Sequence, residues 1–241
     1  MTPPVIIQAG GKGTRLRPYT SVLPKPLMPV GDMPILEIVV RQLAHYGFTD
    51  LTITTGHLAH LIESFFGDGS ASGTQIRYVR EDRPLGTIGP VRQLPRPTQP
   101  FLVMNGDLLT DIDYHALYDY HVASGNLLTV AVYRGEIPVS LGVIDFNDTR
   151  QIVGFREKPS LYFWGSMGIY VFSPELWDMI PPETYYGFDS LMADLITRNS
   201  AVKVYPWSGL WLDIGRPEDY ERAADDFQKH RSRFLPMDDL P

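Results

Sequence analysis

A β-branched run, Val5-Ile6-Ile7, opens straight into Gly10-Gly11, and strand-like and helix-like segments then take turns along the first half of the chain. Ile35, Leu36, Val39, Val40, Leu43 and Ala44 recur at helical spacing between Pro34 and Gly47; proline suits a first helical position and glycine a C-terminal cap. Residues 51–54, 76–79 and 101–104 read as strands, and residues 58–66 and 114–123 as helices. The unit is about 20–30 residues, the length of a strand plus a crossover helix, so the pattern predicts an α/β fold with a mainly parallel sheet and helices on its faces. Ligands in such sheets sit beyond the carboxyl ends of the strands, where Gly10 and Asp107 both fall.

The second half has a different rhythm. Residues 127–133, 141–146, 152–156 and 168–172 are strand-like with short polar connections, which predicts antiparallel or mixed strands added to the first sheet. Residues 190–198 and 218–229 read as helices, and 202–205 and 210–214 as strands. With no internal repeat and no low-complexity linker, residues 1–241 read as one domain, subdivided at most near residue 125. The tail, 231–241, with mixed charge and two prolines, is expected to be loosely ordered.

Composition narrows the function. A net charge of −7 argues against nucleic acid as a partner, because that needs a basic face. The absence of cysteine excludes a disulfide framework, a thiolate nucleophile and a Cys-ligated metal. Met1-Thr2-Pro3-Pro4 lacks the plan of a signal peptide, and no apolar run approaches the roughly 18–20 residues that span a bilayer. A soluble, cytoplasmic protein with no membrane partner is expected.

Against this acidic background, residues 8–26 carry Lys12, Arg15, Arg17 and Lys25 and no acid. Gly10, Gly11 and Gly13 allow backbone N–H groups to approach a bulky anion, and the basic side chains supply positive charge, a combination suited to a triphosphate. No Gly-Lys-Ser/Thr closes the loop as in a Walker A motif. Leu16 stands where a dinucleotide fingerprint needs its third glycine. His57 and His60 share helical spacing without a His-Glu-x-x-His partner, so surface or capping roles are favoured over zinc. The cluster Tyr162-Phe163-Trp164 lines a sugar or is a buried strand edge; both readings stay open.

Gly10-Gly11-x-Gly13-Thr14-Arg15-Leu16-x-Pro18 followed by Pro24-Lys25-Pro26-Leu27-x-Pro29 resembles the signature of the sugar-1-phosphate nucleotidylyltransferases. The resemblance continues through Gly67-Asp68-Gly69, Pro84-Leu85-Gly86-Thr87, Asn105-Gly106-Asp107, Glu157-Lys158-Pro159, Gly168-Ile169-Tyr170 and Trp211-Leu212-Asp213-Ile214-Gly215, covering about residues 5–228. It implies a Rossmann-like domain that converts an NTP and a sugar 1-phosphate into an NDP-sugar and pyrophosphate with Mg²⁺. Residues 1–125 would be mainly the nucleotide half and 126–230 mainly the sugar-phosphate half. Many relatives append a β-helix, but no hexapeptide repeat follows residue 230, so any homo-oligomer is expected to use the catalytic domain's own surface.

By this resemblance Arg15, Lys25 and Asp107 are catalytic, and Asp107 and Asp213 hold the metal. Gly10, Gly11, Gly13, Thr14, Arg15, Glu81, Pro84, Gly86 and Thr87 bind nucleotide, with Lys25 near the α-phosphate. Gly142, Glu157, Lys158 and Ser166 bind the sugar phosphate, Lys158 through its phosphate. Mg²⁺ is often held by one or two carboxylates plus substrate phosphates, which suits two separated aspartates. Ser166 departs from the asparagine the family commonly carries two residues before the glycine of Gly-Ile-Tyr, which puts the ordinary sugar in doubt. Residues 81–90, Glu-Asp-Arg-Pro-Leu-Gly-Thr-Ile-Gly-Pro, resemble the mannose-1-phosphate guanylyltransferase branch, and a carboxylate at Glu81 could accept from guanine N1–H and its amino group. GTP with a hexose or heptose 1-phosphate is therefore favoured. The alternatives are a thymidylyl-, uridylyl- or cytidylyltransferase acting on glucose 1-phosphate, and a regulatory homologue that binds nucleotide sugar without turnover.

Overall fold

The computed structural model describes residues 2–236. In chain order these form β1 (Pro4–Ala9), β2 (Pro29–Val30), β3 (Met33–Pro34), α1 (Ile35–His45), β4 (Asp50–Thr55), α2 (Ala59–Phe66), β5 (Gln75–Arg80), β6 (Phe101–Asn105), β7 (Leu108–Thr110) and α3 (Tyr114–Ser124). They continue as β8 (Leu128–Pro138), β9 (Val143–Phe146), β10 (Ile152–Arg156), β11 (Ser160–Phe172), α4 (Pro174–Met179), α5 (Phe188–Thr197), β12 (Val202–Trp207), β13 (Trp211–Asp213), α6 (Pro217–Lys229) and α7 (Arg231–Phe234). Seven strands make one sheet in the order β12-β8-β11-β6-β1-β4-β5. Only β11 runs antiparallel to its neighbours, β6 and β8. The α/β class with added antiparallel pairing matches the sequence-based expectation.

The central strands β1, β4 and β6 are buried on both faces, as their apolar runs require. Val5, Ile7, Leu102 and Met104 pack on one side with Leu36, Val39, Val40 and Leu43 of α1. Ile6, Phe101 and Val103 alternate to the other, under Leu176 of α4 and Leu191 and Leu195 of α5. The opposite side of α1 is covered too. Ile35 and Ile38 pack with Leu16, Leu212, Ile214, Phe227, Phe234 and Leu235.

Four expectations are corrected. Of the second-half strands, β8, β11 and β12 join the main sheet, but β9 and β10 pair only with each other. Their apolar residues Ile144, Phe146, Ile152 and Phe155 are all more than half exposed, so the hairpin gains no burial by joining the sheet. The strand read at 168–172 is the end of the thirteen-residue β11, whose register on β8 is irregular between Ser166 and Tyr170. Tyr162, Phe163 and Trp164 lie on its exposed part, which removes the buried-edge reading. The tail is ordered where it begins: α7 is helical and Phe234 and Leu235 are fully buried, because α1 and α6 offer them an apolar groove. Residues 237–241 lie outside the described residues. No helix among the described residues is long and apolar enough to cross a membrane.

Candidate active site

From β1 the sheet grows to β4 and β5 on one side, and the chain then crosses back to place β6 on the other. The carboxyl ends of β1 and β6 therefore flank the topological switch point, where an open α/β sheet leaves a crevice. A cavity of about 750 Å³ occupies it, lined by Gly10, Gly11, Glu81, Pro84, Gly86, Thr87 and Asp107 among the sequence-predicted residues. Its rim at residues 86–89 is braced from residues 184–188. Ile88 and Gly89 donate to the Tyr186 carbonyl at 3.0 Å, and Phe188 N–H donates to Thr87 Oγ1 at 3.0 Å. Gly86 has φ +80°, and a Cβ there would stand 2.8 Å from Tyr186 O, so this turn accepts no larger residue without moving.

Glu81 is pressed between backbone segments. Its Oε2 accepts Leu85 N–H at 3.2 Å, and its Oε1 lies over Gly10. Burial raises its pKa above the ordinary carboxylate value, against the Leu85 N–H that lowers it. No donor meets Oε1 among the described residues, so the carboxylate keeps acceptor capacity facing the cavity.

Gly13, Thr14 and Arg15 do not line the cavity. Thr14–Leu16 form a 3-10 turn anchored by the buried Leu16, with Thr20 Oγ1 donating to Gly13 O at 2.8 Å. The Arg15 guanidinium lies against Gly215, a built Cβ there falling 3.3 Å from Nη1, which brings its charge beside Asp213. The glycine-rich loop thus faces the cavity with its first two glycines and the carboxylate pair with its arginine.

Asp107 follows β6, and Asp213 ends β13, which pairs antiparallel with β7 so that Asp213 stands opposite Leu108. Lys25, buried on its own 3-10 turn, forms an ion pair with Asp107, and its Nζ lies 3.9 Å from Asp213 Oδ1. Burial pushes the Asp213 carboxyl above its ordinary pKa, and repulsion from Asp107 adds to this; Lys25 and Arg15 oppose it. Two carboxylates offer hard oxygen donors of the kind a divalent cation of the Mg²⁺ type takes. Among the described residues no cluster of three or more His, Cys, Asp or Glu is present, so such a cation would draw its remaining ligands from substrate phosphates and water.

The sugar-phosphate candidates form a separate group. Gly142 and Glu157 meet at the open end of the β9–β10 hairpin, a Cβ on Gly142 falling 3.3 Å from Glu157 Oε2. Lys158 follows, exposed and with φ +42°. None of the three lines the cavity. Ser166 is exposed on β11, and its Oγ lies 3.3 Å from both Tyr170 Oη and Gly168 N. Gly168 packs against the Asn105 amide, which does line the cavity.

Sequence reading missed Gln8, Thr54, Gly56 and Asn105 as wall residues. Each lies at or just past the carboxyl end of a parallel strand, so the switch-point rule applied to every strand end would have found them. Gln8 donates to the Thr87 carbonyl, tying β1 to the 81–90 loop. Thr54 Oγ1 is buried with no hydrogen-bond partner. His57, read as a surface or capping residue, also lines the cavity, its Nε2 3.3 Å from Thr20 O.

Residues 4–230 match the family described as Nucleotidyl transferase. Mannose-1-phosphate guanylyltransferase of Mycobacterium tuberculosis is 31% identical over 92% of this chain and 63% of its own length. UTP–glucose-1-phosphate uridylyltransferase of Synechocystis is 32% identical over 90% of this chain and 61% of its own. The chain thus spans about three fifths of the length of these relatives. Among solved structures, a putative glucose-1-phosphate thymidylyltransferase from Bacillus anthracis superposes with TM-score 0.76 at 24% identity, covering 92% of this chain and 94% of that one. HddC from Yersinia pseudotuberculosis, complexed with GMP-PN, superposes with TM-score 0.73 at 22% identity, covering 94% and 100%. These two likenesses speak for the fold. With its signature loop, switch-point cavity and a match over nearly its whole length, the chain belongs to the nucleotidyl transferase family.

Proposed function

We propose that this chain transfers a nucleotidyl group from an NTP, with GTP favoured, to a hexose or heptose 1-phosphate, releasing pyrophosphate. The observation that carries this reading is the meeting, at Lys25, of an acid-free basic loop with the carboxylates Asp107 and Asp213 beside the switch-point cavity. A sugar 1-phosphate has a second pKa of about 6, so its attacking oxygen is anionic at neutral pH and needs no general base. That oxygen bonds to the α-phosphorus as the bond to the bridging oxygen of pyrophosphate breaks, in line, with the electron pair leaving on pyrophosphate. The barrier lies in bringing two polyanions together.

Arg15 and Lys25 offset charge on the triphosphate, Lys25 nearest the α-phosphate. Gly10 and Gly11 cradle the nucleotide with backbone donors at the cavity wall, Gly13 and Thr14 continue that loop outside the cavity toward its phosphates, and Pro84, Gly86 and Thr87 shape the base side. Asp107 and Asp213 would hold Mg²⁺, which when bound supplies charge neutralisation at the phosphates. Gly142 admits the sugar ring, Glu157 and Ser166 receive its hydroxyls and Lys158 its phosphate. The guanine preference rests on Glu81: a half-buried carboxylate with an unused oxygen at the cavity suits the paired donors of guanine.

A uridylyl reading has its own support, since the Synechocystis relative is as similar as the mycobacterial one. Pyrophosphate release measured with each NTP against a panel of sugar 1-phosphates separates the readings. GTP-dependent release is expected. Release confined to UTP or dTTP overturns the guanine preference, and NDP-sugar binding with no release for any pair overturns the enzyme.

A further inference from the structure

The ribbon that carries the two carboxylates is very short, three residues of β7 against three of β13. Asp107 and Asp213 stand at one end. Just past the other end is Asp111, whose side chain is only 7% exposed. Its Oδ1 accepts Leu210 N–H at 2.7 Å and Trp207 Nε1–H at 3.1 Å, and its Oδ2 pairs with Arg233. Trp207 ends β12 and Leu210 precedes β13, so this one carboxylate fixes the path by which the chain leaves the main sheet and enters the ribbon.

A second set of bonds runs beside it. Thr110 Oγ1 donates to Leu210 O at 2.8 Å. Gln42 of α1, itself buried, donates to Thr110 O at 2.6 Å and to Phe234 O at 2.8 Å. Arg233 and Phe234 belong to α7, beyond residue 230 where the family match ends.

A two-stranded ribbon of this length does not hold its own register. A slip of one residue would turn Asp213 to the opposite face. A carboxylate as buried as Asp111 is costly to leave without partners, so its three donors and the backbone that carries them are held in one arrangement. We infer that Asp111, clamped by Arg233 of the C-terminal turn, is a positioning residue that sets the separation of Asp107 and Asp213 and thereby the affinity for a divalent cation. This rests on the reading of those two aspartates as metal carboxylates.

The test uses the full chain and Mn²⁺ alone as probe, with its dissociation constant read from the free-ion EPR signal and amide hydrogen exchange followed at Leu210 and Leu212. Arg233→Gln and Asp111→Asn are expected to weaken Mn²⁺ binding by about 10–100-fold, the usual effect of removing a group that orients a metal ligand, and to speed exchange in β7 and β13. Arg96→Gln, which breaks an exposed ion pair with Asp178, is the matched control and changes neither. Wild-type affinity and exchange in Arg233→Gln overturn the inference. If Arg233→Gln does not fold, Trp207→Phe, which removes one donor from the same carboxylate, takes its place: weaker binding with faster exchange supports the inference, and wild-type values of both overturn it. If the unaltered chain binds no Mn²⁺, the metal reading itself fails and the inferred effect on cation affinity falls with it. Exchange then still decides the clamp: faster in Arg233→Gln supports it, unchanged rejects it.

Discussion

Gly56 stands so close to Gly10 that a Cβ on it would lie 2.7 Å from the Gly10 carbonyl oxygen. This contact joins the carboxyl ends of β4 and β1, and Gly10 in turn lies under Glu81 Oε1 past the end of β5. Three adjacent strand ends are thereby stacked without room for a methyl group. Gly56→Ala must push the Gly10 loop into the cavity, at a cost of about 1–3 kcal/mol in stability, the range for overpacking. The KM for NTP should rise at least tenfold (about 1.4 kcal/mol) with a smaller change in kcat. Steady-state kinetics check this; a KM within twofold of the original would show that the loop tolerates the shift.

Lys25 pairs with Asp107 and lies 3.9 Å from Asp213 Oδ1, so its one charge is shared between two carboxylates in a partly buried space. Lys25→Met should lower kcat by about 10²–10³, on the order of 3–4 kcal/mol for a lost charge-stabilising group in a preorganised site. Single-turnover pyrophosphate release measures the effect on chemistry separately from binding. A loss confined to KM would mean that Lys25 binds the ground state and the transition state equally.

His121 predicts a pH dependence of stability. It is 1% exposed, with Nδ1 2.9 Å from Thr129 Oγ1 and Nε2 3.1 Å from Ser173 Oγ, and Ser173 Oγ donates onward to Asn126 O. That network suits a neutral imidazole donating from Nε2, and burial pushes its pKa down to about 4. Between pH 4 and 6.5 the unfolded chain binds the proton that the folded chain refuses, so stability falls as pH drops through this window, by up to roughly 3 kcal/mol. Urea unfolding at pH 4.5, 5.5, 6.5 and 7.5 should give a steeper slope for the unaltered chain than for His121→Gln. Equal slopes would assign the dependence to another group.

Periodicity made the alternating strands and helices of the first half legible, because strands buried on both faces and an amphipathic α1 leave clear apolar spacing. The signature loop and the aspartates were legible through chemical type and resemblance. The β7–β13 ribbon was half legible: residues 210–214 read as a strand, but three apolar and polar residues at 108–110 carry no period. Gln42, Asp111 and Arg233 were not legible at all. Their meaning comes from contacts spanning 68 to 192 residues of sequence, and nothing local distinguishes them from surface polar residues.

Glu81 carries the last prediction, on base choice. One of its oxygens is committed to Leu85 N–H, and the other lies against Gly10 at the cavity wall without a donor among the described residues. Glu81→Gln keeps an oxygen for Leu85 but turns an amide N–H₂ toward the base, which opposes the N1–H and amino donors of guanine and meets the carbonyl oxygens of uracil or thymine. Because a site built to pair with a polar group rejects a mismatched partner strongly, the ratio of kcat/KM for GTP over UTP should fall by at least tenfold, about 1.4 kcal/mol. The fold should be unaffected, since the Leu85 contact survives. An unchanged ratio with unchanged stability would assign Glu81 to bracing the 81–86 turn alone and move base selection to the backbone groups around Gly86 and Thr87.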